Sequence, residues 1–223
     1  PVTIGVPLPR GRFHDASQLS VIDEEGVSVP LQAIPTEWWP DESVRWALLD
    51  FHVTGPTAAG SRQYTLQAGS PSDAFRASRL TVAEAGGSIL VETGAARFRL
   101  QAGGDFPFAD ATVGGRPVLD VTRSGLIVTG ATGAVWRARV TRASVEERGD
   151  LRTTVRLEGT VGPAHRPLVD LIARVHFYSG SATTRVALTL RNPRRARRPQ
   201  GFWELGDSGS VYMRAASLHL ALP

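Results

Sequence analysis

Arg174, His176 and Tyr178 alternate along the run 168–178, whose other residues are apolar apart from Asp170. Successive side chains of a β-strand point to opposite faces, so such alternation brings these three to one face. Arg156 and Arg185 are expected on neighbouring strands of the same face. Such a set could neutralise a uronate carboxylate, and the imidazole or phenol could move a proton in a β-elimination. The competing explanation is that an antiparallel sheet with one solvated face carries arginines there because they are soluble.

Other residues invite chemistry less firmly. Gly206-Asp207-Ser208-Gly209 resembles the nucleophile loop of serine proteases. A triad also needs a histidine base and a buried orienting carboxylate, and His14, His52 and His165 stand in unrelated contexts. The same four residues form an ordinary Gly/Asp/Ser turn. Glu204 and Asp207 are a carboxylate pair, but closeness in a loop does not set the spacing across a sugar that glycoside hydrolysis needs. Trp38, Trp39 and Trp46 cluster, with Trp203 far along the chain; indoles stack on sugar rings and equally fill small cores. Arg191, Arg194, Arg195, Arg197 and Arg198 form a basic loop that suits either solvent or an acidic glycan. The histidines show no metal-binding spacing, so no metal is expected, and no motif implies another cofactor.

Composition narrows the classes. The chain has 223 residues, no cysteine and no lysine, so all 25 basic residues are arginine. Thiol nucleophiles, Schiff-base lysines and lysine-dependent phosphate loops are excluded. The net charge of +4 mildly favours anionic partners. Acidic residues interleave with the arginines, however, and few aromatics do, so no nucleic-acid partner is expected. No apolar stretch approaches the length of a membrane-spanning helix, and no membrane partner is expected.

The elements that must position these residues are strands. No dozen residues carry helical apolar spacing without an interrupting Gly or Pro. Strands are predicted over 2–6, 19–23, 27–34, 44–54 and 62–68, which suits a small barrel. The Gly/Ser/Pro composition of 69–73 marks a linker, giving domains 1–72 and 73–223. In the second, strands are predicted over 80–85, 88–92, 96–101, a weaker pair around 112–121, and 126–129. Four longer ones follow at 134–144, 152–161, 168–178 and 183–191, joined by short links as an antiparallel meander. Its apolar face carries Trp136, Ala138, Val140, Val155, Leu157, Val161, Leu171, Ala173, Val175, Phe177, Val186, Leu188 and Leu190. The opposite face carries Arg137, Arg139, Arg152, Arg156, Glu158, Arg174, His176, Tyr178, Arg185 and Arg191. The fold class is therefore all-β, a small barrel followed by an antiparallel β-sandwich.

Three segments carry a family resemblance: the opening Val2-Thr3-Ile4-Gly5-Val6-Pro7-Leu8-Pro9-Arg10-Gly11, then Val29-Pro30-Leu31-Gln32, then Trp39-Pro40-Asp41-Glu42-Ser43-Val44-Arg45-Trp46. They resemble the N-terminal RIFT barrel of the exo-rhamnogalacturonan-lyase-like (YetA-like) family. Arg191-Asn192-Pro193 and the run 201–210 are similar to part of its central, supersandwich-like β-sandwich. Glu42 departs from the family's usual Gly in this turn. The resemblance implies a secreted or periplasmic protein acting on an acidic, pectic polysaccharide or oligosaccharide. It also implies a C-terminal helical domain of the same protein as a partner. It transfers no catalytic residue, since the matching positions are turn and packing positions. On this expectation the chain is scaffold and cleft wall, with Arg174, His176, Tyr178, Arg185 and Trp203 as substrate-binding candidates and catalytic residues unknown. The alternative is a non-catalytic carbohydrate-binding or domain-interaction module.

Overall fold

Alternating apolar and polar residues with frequent Gly and Pro turns leave the chain little choice but short antiparallel strands. The computed structural model describes residues 1–53, 61–69, 80–195 and 209–223. They divide into two compact units, Pro1–Leu80 with Gly149–Arg152, and Thr81–Arg148 with Thr153–Pro223. The domain boundary expected between Ser72 and Asp73 lies outside the described residues.

Unit 1 contains β1 (Val2–Pro7), β2 (Leu19–Ile22), β3 (Ser28–Val29), β4 (Leu31–Trp38), β5 (Val44–Phe51) and β6 (Thr65–Ala68). They form two three-stranded sheets, ordered β1-β5-β4 and β3-β2-β6. The predicted strand 27–34 divides at Pro30, which has no N–H for a ladder, and its halves join different sheets. Leu8, Phe13, Leu19, Val44, Ala47 and Leu49 fill the space within, with Val21, Val29 and Phe51 as a smaller cluster.

The segment most typical of the family resemblance is a locked turn. Trp39 N–H donates to Ser43 O at 2.8 Å, and Ser43 Oγ donates to Asp41 Oδ1 at 2.6 Å. Gly11 N–H donates to Ser43 Oγ, and Arg10 Nε reaches Asp41 Oδ2, both at 2.9 Å. Glu42 sits at φ 63°, the left-handed region where a glycine carries no Cβ penalty. The departure at this position is therefore one of turn strain.

Unit 2 pairs a five-stranded with a six-stranded antiparallel sheet. The first holds β7 (Thr81–Ala85), β8 (Ser88–Glu92), β9 (Ala96–Gln101), β10 (Asp110–Val113) and β11 (Arg116–Pro117). The second holds β12 (Gly125–Gly130), β13 (Val135–Glu147), β14 (Arg152–Val161), β15 (Val169–Tyr178), β16 (Thr184–Arg191) and β17 (Met213–His219). Its order is β16-β15-β14-β13-β12-β17, so the expected meander is present, and the all-β fold class holds. Phe98 of β9 lies 5.1 Å, centroid to centroid, from Phe177 of β15, which fixes the two sheets face to face. Val155, Leu157, Val161, Leu171, Ala173, Val175 and Phe177 are buried, as their parity requires, whereas at the edge strand β16 Val186 and Leu190 are only half-buried and Leu188 is exposed.

Candidate functional site

Strand alternation delivers Arg156 and Glu158 of β14, and Arg174 and His176 of β15, to the face of the six-stranded sheet opposite its core. In register, Arg185 of β16 stands directly across from His176. The predicted end of β13 at residue 144 is too early, since the strand runs to Glu147 and carries Glu146 onto the sheet. Val145 keeps the alternation but Glu146-Glu147 breaks it, because the register shifts between Val145 and Glu147 and Glu146 is the extra residue of a β-bulge.

Glu146 reorganises the face. Arg174 Nε and Nη2 donate to its two oxygens at 2.6 and 2.8 Å, a fork-to-fork pair. Arg156 Nη1 lies 3.5 Å from Glu146 Oε1, while Arg156 Nη2 donates to Glu158 Oε1 at 2.8 Å. Arg142 adds a looser pair with Glu158 at 3.7 Å. The Arg174 hydrogen bond, opposed by desolvation and helped by the charges of both arginines, holds the Glu146 carboxyl below its ordinary value. The same contact raises the Arg174 guanidinium. This face is a salt-bridge network rather than an uncompensated cationic surface.

The five substrate-binding candidates therefore part company. Arg174 holds a protein carboxylate with two of its nitrogens. His176 is half-buried, its Nδ1 2.9 Å from Thr154 Oγ1. Tyr178 shares the parity but is only 7% exposed, so it stands inside rather than on the surface. Arg185 is exposed and, among the described residues, has no carboxylate partner. Trp203 lies outside the described residues, as do Glu204, Gly206, Asp207, Ser208, Arg197 and Arg198.

Arg152 corrects the reading of the face. It is buried, and its Nε donates to Asp50 Oδ1 at 2.8 Å, with the two side chains 4% and 3% exposed. Thr3 Oγ1 donates to the same oxygen at 2.5 Å. Gln32 holds the adjoining backbone: its Oε1 accepts from Leu151 and Arg152 N–H at 3.0 and 2.9 Å, and its Nε2 donates to Arg152 O. These residues all belong to unit 1, and Arg152 is a structural ion pair there.

The tryptophans divide as well. Trp39 donates its Nε1–H to Leu8 O, and the Arg45 guanidinium lies 4.8 Å over its ring. Trp38 and Trp46 are 54% and 38% exposed. In the basic loop, Arg191 pairs with Asp170 at 2.7 Å, and Arg194 Nη1 reaches Ser210 O at 3.4 Å. Among the described residues no three His, Asp or Glu side chains come together as a metal site requires.

Fold and site together define a barrel-plus-sandwich protein with an arginine–carboxylate network on its sandwich. Residues 1–69 match the PcRGLX-like N-terminal RIFT barrel domain, and residues 80–198 match the PcRGLX-like protein central beta sandwich domain. The chain belongs to this rhamnogalacturonan-lyase-like family. It is also similar to an uncharacterized protein, YetA, of Bacillus subtilis (strain 168), with 22% identity over 190 residues. That match covers 80% of this chain and 22% of YetA, so the chain spans about a fifth of its relative's length.

Proposed function

We propose that this chain is the β-rich portion of a protein that cleaves acidic, rhamnogalacturonan-type glycans by β-elimination, and that it acts as scaffold and cleft wall rather than as the seat of catalysis. The observation that carries this is the succession of both family modules along one chain. In such a reaction a base takes the proton on the carbon beside the uronate carboxylate. The electrons of that C–H bond form a C=C bond as the bond to the leaving sugar oxygen breaks, and cations hold the developing enolate.

The roles follow from what each candidate is free to do. Arg185, exposed and unpaired among the described residues, would meet a substrate carboxylate, with His176 across the strand pair. Arg174 would act as a strut through Glu146. The helical partner domain would find an uncovered apolar seat at β17, where Met213 and Leu218, with Leu220 and Leu222 beyond the strand, are 41–75% exposed. A polymeric substrate would place the protein in the periplasm or outside the cell.

The test takes the purified 223-residue chain and assays release of unsaturated uronate from rhamnogalacturonan, with glycan binding by calorimetry on the same sample. Expected are binding without turnover and about a ten-fold loss of affinity in Arg185→Ala. Turnover would overturn the scaffold assignment. Absence of binding would remove the cleft-wall role.

A further inference from the structure

Two of the hollows on the described surface differ in what their charges are doing. One, of about 360 Å³, is lined by Glu92, Arg97, Thr112 and the glycines of two turns. Its arginine is already paired with Glu92 at 3.1 Å, so it offers an incoming anion little. The other, of about 470 Å³, lies in unit 1 and is lined by Arg12, Phe13, Ser17, Gln18, Ala68 and Gly69. Its volume falls within the ~300–1,000 Å³ usual for small-molecule sites.

The lining of this second hollow is rich in donors, one of which the local fold orients. Gln18 ends the short 3-10 turn Ala16–Gln18, and its Oε1 accepts from His14 and Asp15 N–H at 3.2 and 3.4 Å. Because the oxygen is committed to this capping box, the amide nitrogen is the end left over, and its two N–H groups make no hydrogen bond among the described residues. Arg12 is held with its guanidinium 5.5 Å over the Phe13 ring and, among the described residues, has no carboxylate partner. Phe13, 7% exposed, gives an apolar base. The nearby Asp15 carboxylate is turned to Ser17, whose N–H it accepts at 2.8 Å. The Gly69 wall excludes a side chain, since a Cβ there would lie 2.7 Å from Ser20 Oγ.

We propose that this hollow is a binding subsite for an acidic sugar, with Arg12 taking the carboxylate, the Gln18 amide donating to a ring hydroxyl, and Phe13 lying under the C–H edge. The choice of a uronate among carboxylates rests on the glycan-acting reading above, whereas the preference for an anion rests on the lining alone. The Gln18 amide, oriented by its capping bonds before binding, loses little freedom on capturing the ligand.

The experiment follows the Arg12 Nε–H and Gln18 side-chain amide signals by nitrogen-edited NMR. The full chain is titrated separately with galacturonate, galactose and acetate, each to about 50 mM, a range that covers millimolar affinity. Galacturonate is expected to shift both signals saturably, with galactose and acetate each weaker by about ten-fold. Arg12→Ala should weaken galacturonate by a similar factor. Gln18→Glu, which keeps the capping oxygen while exchanging the donor amide for an acceptor, should do the same with the fold intact. Unchanged signals with galacturonate, or an unaltered affinity in Gln18→Glu, overturn the subsite. Equal responses to acetate and galacturonate leave an anion site and overturn its sugar selectivity. Since Arg185 lies in unit 2, loss of glycan binding in Arg185→Ala with galacturonate still seated at Arg12, or the reverse, separates failure of this site from failure of the glycan reading.

Discussion

Two arginine–carboxylate pairs of nearly equal donor–acceptor distance stand in opposite surroundings. Arg152 meets Asp50 at 2.8 Å with both side chains almost fully buried, whereas Arg174 meets Glu146 at 2.6 Å with side chains 42% and 31% exposed. Distance alone ranks the exposed pair first. Solvent reverses the order for single-partner losses, because water re-solvates whatever an exposed pair loses, and nothing does so for a buried charge. A buried pair is thus costly to break, although assembling it gains the protein little over an apolar filling of the same shape.

The largest expected effect is therefore in unit 1. Asp50→Ala removes a buried carboxylate partner of the Arg152 guanidinium and the acceptor of Thr3 Oγ1, which should cost about 3–5 kcal/mol of unfolding free energy. Urea titration followed by fluorescence of the unit 1 tryptophans, Trp38, Trp39 and Trp46, reads it. The double variant Asp50→Leu with Arg152→Met should recover most of that loss. If the double variant is as unstable as the single one, the packing around Gln32 and residues 149–152 matters more than the loss of the Asp50 charge.

How far the sequence foretold this contrast depends on what each position required. Alternation sufficed for the β14 and β15 core, because Val155, Leu157, Leu171 and Val175 are sorted by local parity alone. The same rule misplaced Arg152. It shares the parity of Arg156, but its partner Asp50 is 102 residues away, and burial by a distant segment leaves no local trace. Tyr178 misled for a related reason: parity names a face but not where along the strand that face is covered. Pro30 was legible in principle, since a missing N–H divides a ladder. β17 was not, because Met-Arg-Ala-Ala-Ser-Leu-His has no β-branched residue or aromatic, and its pairing with β12 is made by position in the sheet. The hollow at Arg12 and Gln18 escaped notice because both read as ordinary loop residues until the capping box fixes which end of the amide is left over.

A much smaller effect is expected at the exposed pair. Glu146→Gln should cost about 0.5 kcal/mol, and a double-mutant cycle with Arg174→Ala should give a coupling under about 1 kcal/mol that shrinks in added salt. The Glu146 carboxyl lies below its ordinary 4.5, chiefly through the Arg174 hydrogen bond. Its contribution is therefore full above that ordinary value and is lost as pH falls through the lowered one. Side-chain carboxyl NMR across the acid range measures it. A coupling of several kcal/mol would mean that this network is shielded from water in solution.

The smallest effect on stability, and the most discriminating on cause, lies at Asp41. Its carboxyl is pushed down to about 2, and the Ser43 hydroxyl is the largest contributor, ahead of both the hydrogen bond and the charge of Arg10. Glu146 owes its depression first to a guanidinium, and Asp41 owes its own first to a neutral hydroxyl. Arg10→Gln should thus leave Asp41 titrating well below its ordinary 3.8, while Arg174→Gln should carry Glu146 most of the way back to 4.5. Any stabilisation from Asp41 is full above its ordinary value and fades as pH falls through about 2 in the folded protein. Salt should move Glu146 upward and leave Asp41 nearly fixed, because screening acts on the charge of a partner far more than on a short hydroxyl contact. Should Arg10→Gln raise Asp41 as far as Arg174→Gln raises Glu146, charge rather than the turn's hydrogen bonds would govern this carboxylate. The locked turn would then hold through its backbone bonds, Trp39 to Ser43 and Glu42 to Trp39, with the side chains secondary.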